Sequence, residues 1–424
     1  MKLTKRPEYP WIVVITYSLL GICMPAAVTQ FSMLVTTMAA EMAVSEQTVL
    51  LADSLRAVCL VTAMFLSGVI YKRFGLRKTM MLGLFFQIAP QFLIPLAVRH
   101  QNLVFFYLAK GMQGLNAVAF PLYLATISAW SSARNRGLAT AIFNGSFTAG
   151  AGVGAWVSSR IIPAFGWEMS FYFVGGICLL AAVPALLITR EKEVLVKQEI
   201  PLGKAEKKDT GSYLRILKDR KTWLLVAALL ANTWVAQAVT VDMSVYASSL
   251  NYSYAQTGAL MLLISVVTVI SSILAGAISD YFASKAADVL TSRIRVLSVG
   301  YLVTAAAAAA LPAVAGRGFG YTAAAASLMM VGISWAQGVY WAIPGELYDI
   351  RDHVVVTAIC SGASNIVNPV APMVVGVLLG TRGMWQIGWF TCSIMAVFSL
   401  AAALLIPHFG RDDYQKNKEV GRYV

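Results

Sequence analysis

The sequence predicts an all-α integral membrane protein with twelve transmembrane helices, arranged as two pseudo-symmetric six-helix bundles. Four observations carry this. The 424-residue chain is 58% apolar and only 12% charged, where soluble domains are typically ~25% charged. Its apolar runs repeatedly reach the ~18 residues needed to cross a bilayer. A basic hinge, Gly68-Val-Ile-Tyr-Lys72-Arg73-Phe-Gly75-Leu-Arg77-Lys78, separates two such runs, and a weaker echo, Gly276-Ala-Ile-Ser-Asp280, lies 208 residues on, close to half a chain length. Finally, with both termini on one side, 27 Lys/Arg fall in the loops of that side and only four (Arg99, Arg160, Arg317, Arg382) on the other. Positive charge marks the cytoplasmic face, so an even number of spans with both termini inside is expected.

Residues 1–10 carry Lys2, Lys5 and Arg6 and are expected to be cytoplasmic. Span 1 runs from Trp11 to Met38, with Pro25 as an expected kink and Gln30 as its one strongly polar group. No small-residue cleavage site follows it, so it reads as a span rather than a signal peptide. Ser45 is an N-cap candidate for span 2, which ends at Tyr71. Spans 3 to 6 follow at Thr79–Val98, Leu103–Ala125, Gly137–Arg160 and Glu168–Thr189. Residues 190–221 hold ten Lys/Arg and six Asp/Glu, too polar to enter a bilayer, and read as a cytoplasmic linker. Spans 7 to 12 follow at Thr222–Ser249, Gln256–Asp280, Arg295–Pro312, Tyr321–Pro344, Val354–Gly380 and Trp385–Pro407. The expected organisation is an N-terminal bundle over 1–189, a linker over 190–221, a C-terminal bundle over 222–407 and a cytoplasmic tail over 408–424.

The net charge of +13 would suggest nucleic acid in a soluble protein; here the cations sit between spans, so orientation accounts for them and no nucleic-acid partner is expected. Cys23, Cys59, Cys178, Cys360 and Cys392 stand alone within apolar runs without metal-type spacing and read as small packing residues, with no disulfide implied. His100, His353 and His408 fall in loops or the tail. There is no nucleotide-binding loop and no nucleophile–base constellation, which argues against an ATP-driven pump and against an enzyme. No cofactor or metal is expected, only a proton or ion gradient.

Charges inside a bilayer cost on the order of 2.5–3.5 kcal/mol each on insertion scales, so each needs a reason. Four stand out: Asp53 and Arg56 in span 2, Lys110 in span 4 and Asp242 in span 7. Asp53 and Arg56 are three apart, share a helix face and can pair, either as a local ion pair or as part of a site. By helical rise, Lys110 lies roughly 12 Å and Asp242 roughly 10 Å from the outer end of its span. No acid stands three or four residues from Lys110, which makes a working role more pressing there. Trp234, Ala238, Asp242 and Tyr246 recur every four residues, which fits a cavity lining or a packed interhelical stripe. Further polar stripes are Asn144 with Thr148, Ser334 with Gln337 and Trp341, and Ser361 with Asn365, Asn368 and Pro372. Interhelical hydrogen bonding accounts for such stripes as readily as ligand contact does. The glycines at 150, 152 and 154, at 111 and 114, and at 376 and 380 read as close-packing positions, and the alanine run 305–310 as a packing or lipid-facing segment.

Across essentially the whole chain, this organisation resembles the major facilitator superfamily. The family's hinge pattern, Gly-x-x-x-Asp-Arg-x-Gly-Arg-Arg/Lys, is similar to the stretch containing Gly68, Arg73, Gly75 and Arg77, but Lys72 stands at the usual Asp and Leu76 also departs. Lys110-Gly-Met-Gln113-Gly114-x-Asn116-Ala117 looks like the family's Arg-x-x-Gln-Gly-x-Gly-Ala element, with Lys for Arg. Gly166-Trp167-Glu-Met-Ser-Phe171 resembles the Gly-Trp-x-x-x-Phe start of span 6 in organic-anion members. The resemblance implies the family fold and a monomeric secondary transporter in a plasma membrane, a bacterial inner membrane, that moves a small molecule by alternating access.

Basic residues in the membrane favour a carboxylate substrate, and the nearest branches are anion:cation symporters and oxalate/formate-type exchangers. The expected substrate-binding residues are Arg56, Lys110, Gln113, Tyr246, Gln337, Trp341 and Asn365, with Asp53 and Asp242 as proton sites. When substrate takes Lys110 from its acidic partner, Asp53 or Asp242, the released carboxylate takes a proton, so anion and proton load together. An inner gate is expected from Gly68, Lys72, Arg73, Gly75, Arg77, Asp280, Arg134, Arg136, Glu346 and Asp349. Each hinge would pair with the opposite half's loop, Asp280 with Arg134 in particular; ordinary solvated loop charge is the other reading. The alternatives are a proton-driven drug exporter, which usually carries a Gly-Pro element absent from span 5, and a transporter-like sensor.

Overall fold

The computed structural model describes residues 8–130, 136–189, 215–348, 356, 359–371, 374 and 385–420. Among the described residues the regular structure is all helix, and ten helices are long and apolar enough to cross a membrane. The fifth expected span lies on a further helix of 30 residues, Arg136–Phe165. Of the eleventh, Val354–Gly380, residues 356, 359–371 and 374 are described, and most of the linker lies outside the described residues.

The first apolar run forms α1 (Tyr9–Met33), and after Leu34 the chain resumes as α2 (Val35–Glu41). The helix is interrupted at Leu34, and Pro25, the expected kink position, lies inside α1. A lipid-buried helix tolerates a proline where a neighbour packs closely against it. That neighbour is α6 (Arg136–Phe165): a Cβ on Gly150 would lie 2.4 Å from the Ile22 carbonyl and 2.6 Å from the Pro25 ring, and one on Gly154 only 2.4 Å from Ala26 Cα. The Thr29 hydroxyl donates across this contact to the Ala151 carbonyl, at 2.8 Å. Gly154→Leu is expected to lower stability by at least about 1–3 kcal/mol, the usual cost of overpacking. Gly145→Leu on the same helix, with open space around it, is the control. Equal thermal midpoints for the two purified variants would contradict this packing.

Spans 2 and 3 together form α3 (Glu46–Arg99), capped by Ser45, whose side chain accepts from the Thr48 amide. The two halves are separated by Gly75, which takes φ 76° and ψ 170°, a conformation glycine adopts without a Cβ penalty. Expected span 4 is not one helix. It comprises α4 (Leu103–Gly114), a 3-10 turn at Leu115–Val118 and α5 (Phe120–Trp130). The turn is gripped on both sides. A Cβ on Gly114 would lie 2.0 Å from the Arg56 carbonyl, and one on Gly83 would lie 2.5 Å from Ala119 Cβ. Ser67 donates to the Val118 carbonyl at 2.7 Å, and Asn116 donates to Gln87. A mid-span 3-10 segment held this way places Arg56 and Lys110 on backbones in direct contact.

Gly166 (φ 90°) turns the chain into α7 (Trp167–Ile188). The second half contains α8 (Arg220–Ser249), α9 (Tyr254–Lys285), α10 (Val289–Ala315), α11 (Phe319–Tyr340), the short α12 (Ile343–Leu347) and α13 (Trp385–Val420). Helix α13 passes Pro407 and continues where a tail was expected. Within the alanine run, Ala305, Ala307 and Ala308 are buried while Ala306 and Ala310 are exposed, so one face packs and the other looks outward. By contact, the chain forms two compact units: Met1–Lys204 with Thr240–Ser265, and Ala205–Val239 with Val266–Val424. The first is built around Tyr9, Tyr17, Tyr123 and Phe143, with the Tyr17 hydroxyl bonded to Thr189 at 2.8 Å. It also holds the outer part of α8, including Asp242, and the start of α9, where Thr37 and Tyr254 bond at 3.1 Å and a Cβ on Gly258 would meet Ser159 Oγ at 2.4 Å. In the second, Asn232 accepts from Tyr301 at 2.8 Å and donates to the Ile333 carbonyl at 3.1 Å.

Candidate functional site

Three of the four intramembrane charges meet in the first unit. Asp53 and Arg56, one helical turn apart on α3, form a two-pronged pair: Nε to Oδ1 at 2.6 Å and Nη2 to Oδ2 at 2.8 Å. Lys110 on α4 approaches the same carboxylate, with Nζ 3.1 Å from Oδ1. Its ammonium also donates to Gln113 Oε1 at 3.0 Å and sits 3.5 Å from the centroid of the Phe31 ring, a cation–π contact contributed by α1. Asp53 and Lys110 are both 0% exposed. One carboxylate therefore faces two cations, leaving an excess positive charge where water does not reach.

Asp242 on α8 is 0% exposed as well, and neither carboxyl oxygen has a hydrogen-bond partner. Asp53 is the charged group whose field acts on it. Trp234, Ala238 and Tyr246 on the same stripe are also buried. Trp234 donates to Thr391 at 3.2 Å, in the manner of a packing residue, whereas Asp242 is left as an unpartnered acid. Several neutral polar groups of the first unit are buried without partners too: both amide atoms of Gln30 and Gln91, Gln113 Nε2 and Ser54 Oγ. Buried polar atoms are nearly always satisfied, so the unpartnered Nε2 of Gln113, whose Oε1 accepts from Lys110, is a donor open to a partner from outside the chain.

The remaining expected binding residues, Gln337, Trp341 and Asn365, belong to the other unit. Gln337 and Trp341 are exposed while Ser334, on the same stripe, is buried. Asn365 begins a 3-10 turn, donating to the Ser361 carbonyl at 2.8 Å and accepting from Asn368 at 2.7 Å. Among the gate residues, Arg73 and Arg77 are exposed beside Gly75, and Gly68 lies in α3 seven residues earlier. Arg134 and Asp349 lie outside the described residues, as do the side chains of Lys72 and Arg136. Asp280 is engaged by Arg293 at 2.8 Å, and the same guanidinium stands 3.4 Å from Glu346. Arg293 thus gathers two of the expected gate acids within one unit. Asp280 is largely exposed, so this pair alone contributes little stability.

Phe31 and Arg293 had no separate sequence signal, the first being one phenylalanine among nineteen and the second one loop cation among many. Gln87, the partner of Asn116, is one of two glutamines, with Gln91, in an apolar run and was not singled out by the sequence.

A sequence profile of the Major Facilitator Superfamily matches residues 17–343. The chain belongs to this superfamily. Superfamily members are transporters rather than enzymes, and this chain is accordingly a multi-pass membrane transporter. No curated protein sequence matches it. Among solved structures it is similar to a bacterial homolog of the human lysosomal transporter Spinster, inward-facing and unoccupied, with TM-score 0.75 and 13% identity over 96% of this chain and 99% of that one. It is also similar to a D-xylose-proton symporter, with TM-score 0.74 and 15% identity over 95% of this chain and 98% of that one. At these identities the likeness shows the shared superfamily fold. Within that fold, Lys110 stands in the span-4 element, and the chain's own geometry gives it the Asp53, Gln113 and Phe31 partners.

Proposed function

We propose that this transporter is a secondary active symporter that takes up a small carboxylate together with a proton by alternating access, driven by the gradient without a cofactor. The observation that carries this reading is the fully buried Lys110 ammonium, held by Asp53, Gln113 and Phe31, with the Gln113 amide nitrogen left unpartnered. A carboxylate is the ligand such a cation recognises, because it replaces one anionic partner with another and creates no bare charge. Asp53 keeps its bidentate bond to Arg56 when Lys110 turns to substrate. Asp242 has no such partner, and an ionised carboxylate buried alone is costly until a proton neutralises it. Asp242 is therefore the proton carrier, and Asp53 the fixed anchor. Proteoliposomes carrying an imposed pH gradient, acid outside, test this: carboxylates should accumulate, and the interior should acidify with them in fixed ratio. Flux of carboxylates without proton movement would overturn it.

The unpartnered Asp242 carboxyl also favours a second reading, proton-driven export of a cationic drug; in that case organic cations rather than carboxylates would move against the gradient. The charge bias supports cytoplasmic termini and a cytoplasmic linker in a bacterial inner membrane. In a cysteine-free background, Lys204→Cys should resist an impermeant thiol reagent added to intact cells and react once the membrane is opened. Labelling in intact cells would reverse the orientation.

A further inference from the structure

The transport site leaves one buried pair of thiols unused. Cys23 on α1 and Cys178 on α7 are both buried free thiols, packed in one cluster with Ala27 and Val174. The two side chains pack in the same cluster, close enough for each thiol to act on the other. Gln87 Nε2 donates to Cys178 Sγ at 3.9 Å, so the sulfur also has an oriented polar neighbour. The cysteines are 155 residues apart in sequence, and only the fold brings them together. Their register is fixed by other contacts: Tyr17 on α1 bonds Thr189 just beyond α7, and the Tyr9 hydroxyl donates to the Ile188 carbonyl. Helices α1 and α7 thus hold the two sulfurs face to face without relying on the sulfurs themselves.

We propose that Cys23 and Cys178 are an oxidisable dithiol that closes into a disulfide between α1 and α7. With a small neutral azodicarboxamide as oxidant, each thiol gives up one proton and one electron. One S–S bond forms, and the N=N bond of the reagent is reduced to HN–NH. The sulfurs must close from contact to about 2.05 Å, which side-chain rotation and a slight approach of the helices supply. Cys23, Ala27 and Phe31 follow at four-residue spacing on one face of α1. The bond would therefore clamp the helix that carries the ring over Lys110.

The test uses the full chain in membranes with Cys59, Cys360 and Cys392 replaced by Ala. After treatment with diamide, denaturation and alkylation with N-ethylmaleimide, intact mass should show no adduct on a monomeric chain, and two adducts once dithiothreitol is added first. Two adducts after diamide, or a disulfide-linked dimer, would overturn the proposal. If the triple variant does not reach the membrane, peptide mapping of the oxidised wild-type chain decides. A linked Cys23–Cys178 peptide pair supports it, and separately alkylated peptides overturn it.

Discussion

Lys110→Gln is expected to abolish concentrative uptake of the carboxylate, leaving only downhill equilibration, and to weaken its binding by about one to two orders of magnitude. That is the size expected when a charge-assisted hydrogen bond worth about 1.5–3 kcal/mol is lost. The substitution is a clean one. Glutamine can keep a hydrogen bond to Gln113, and Asp53 keeps both bonds to Arg56, so no buried charge is stranded. The protein should therefore still fold, and a thermal midpoint close to wild type would show that lost transport is not lost structure. Lys110→Arg should retain part of the activity. A guanidinium supplies the charge but is planar and forked, and it would meet Arg56 and the Phe31 ring differently from a compact ammonium. Uptake in proteoliposomes with an imposed pH gradient reads all three proteins. A Lys110→Gln protein that still concentrates substrate would make Lys110 a structural cation and remove it from the mechanism.

Much of the fold was legible because a bilayer imposes a length and a polarity on every span, and both can be counted along the chain. What escaped were events internal to a span. The chain passes through Pro25 because glycines on α6 let that helix lie against it, and a tertiary contact of this kind leaves no mark in the sequence around the proline. The 3-10 turn at Leu115–Val118 likewise depends on Gly83 and Gly114 meeting other helices. In the site, the Asp53–Arg56 pair was legible because three-residue spacing places both side chains on one face. Lys110 was legible as a charge without a local acid, but not its partner. Asp53 is 57 positions earlier on another helix, and Asp242 was an equal candidate until the packing separated them. The cation–π contact with Phe31 is a matter of one ring's placement, which no spacing encodes. Asp280 was legible as a hinge acid and Glu346 as a gate acid in a loop, yet Arg293 is common to both only because the fold brings the start of α10 to them.

The two buried acids should separate cleanly when each is replaced. Asp242→Asn is expected to keep exchange of substrate across equal concentrations at about the wild-type rate while losing all response to a pH gradient. The carboxamide is nearly the same size and carries no proton for transport, and Asp242 has no hydrogen-bond partner to lose. Asp53→Asn should behave differently. It removes the anion shared by Arg56 and Lys110, leaving two buried cations side by side. Breaking a buried pair from one side typically costs about 3–5 kcal/mol, so this variant should unfold at lower temperature and reach the membrane in lower yield. A carboxylate ligand should restore part of that stability by taking the vacated place between the cations, a shift readable by thermal denaturation with and without ligand. The pairing predicts opposite signatures: Asp242→Asn stable but uncoupled, Asp53→Asn unstable but ligand-rescued. If Asp242→Asn still accumulates substrate on a pH gradient, and Asp53→Asn is the stable, uncoupled protein, the proton belongs to Asp53 and the roles assigned to the two acids must be exchanged.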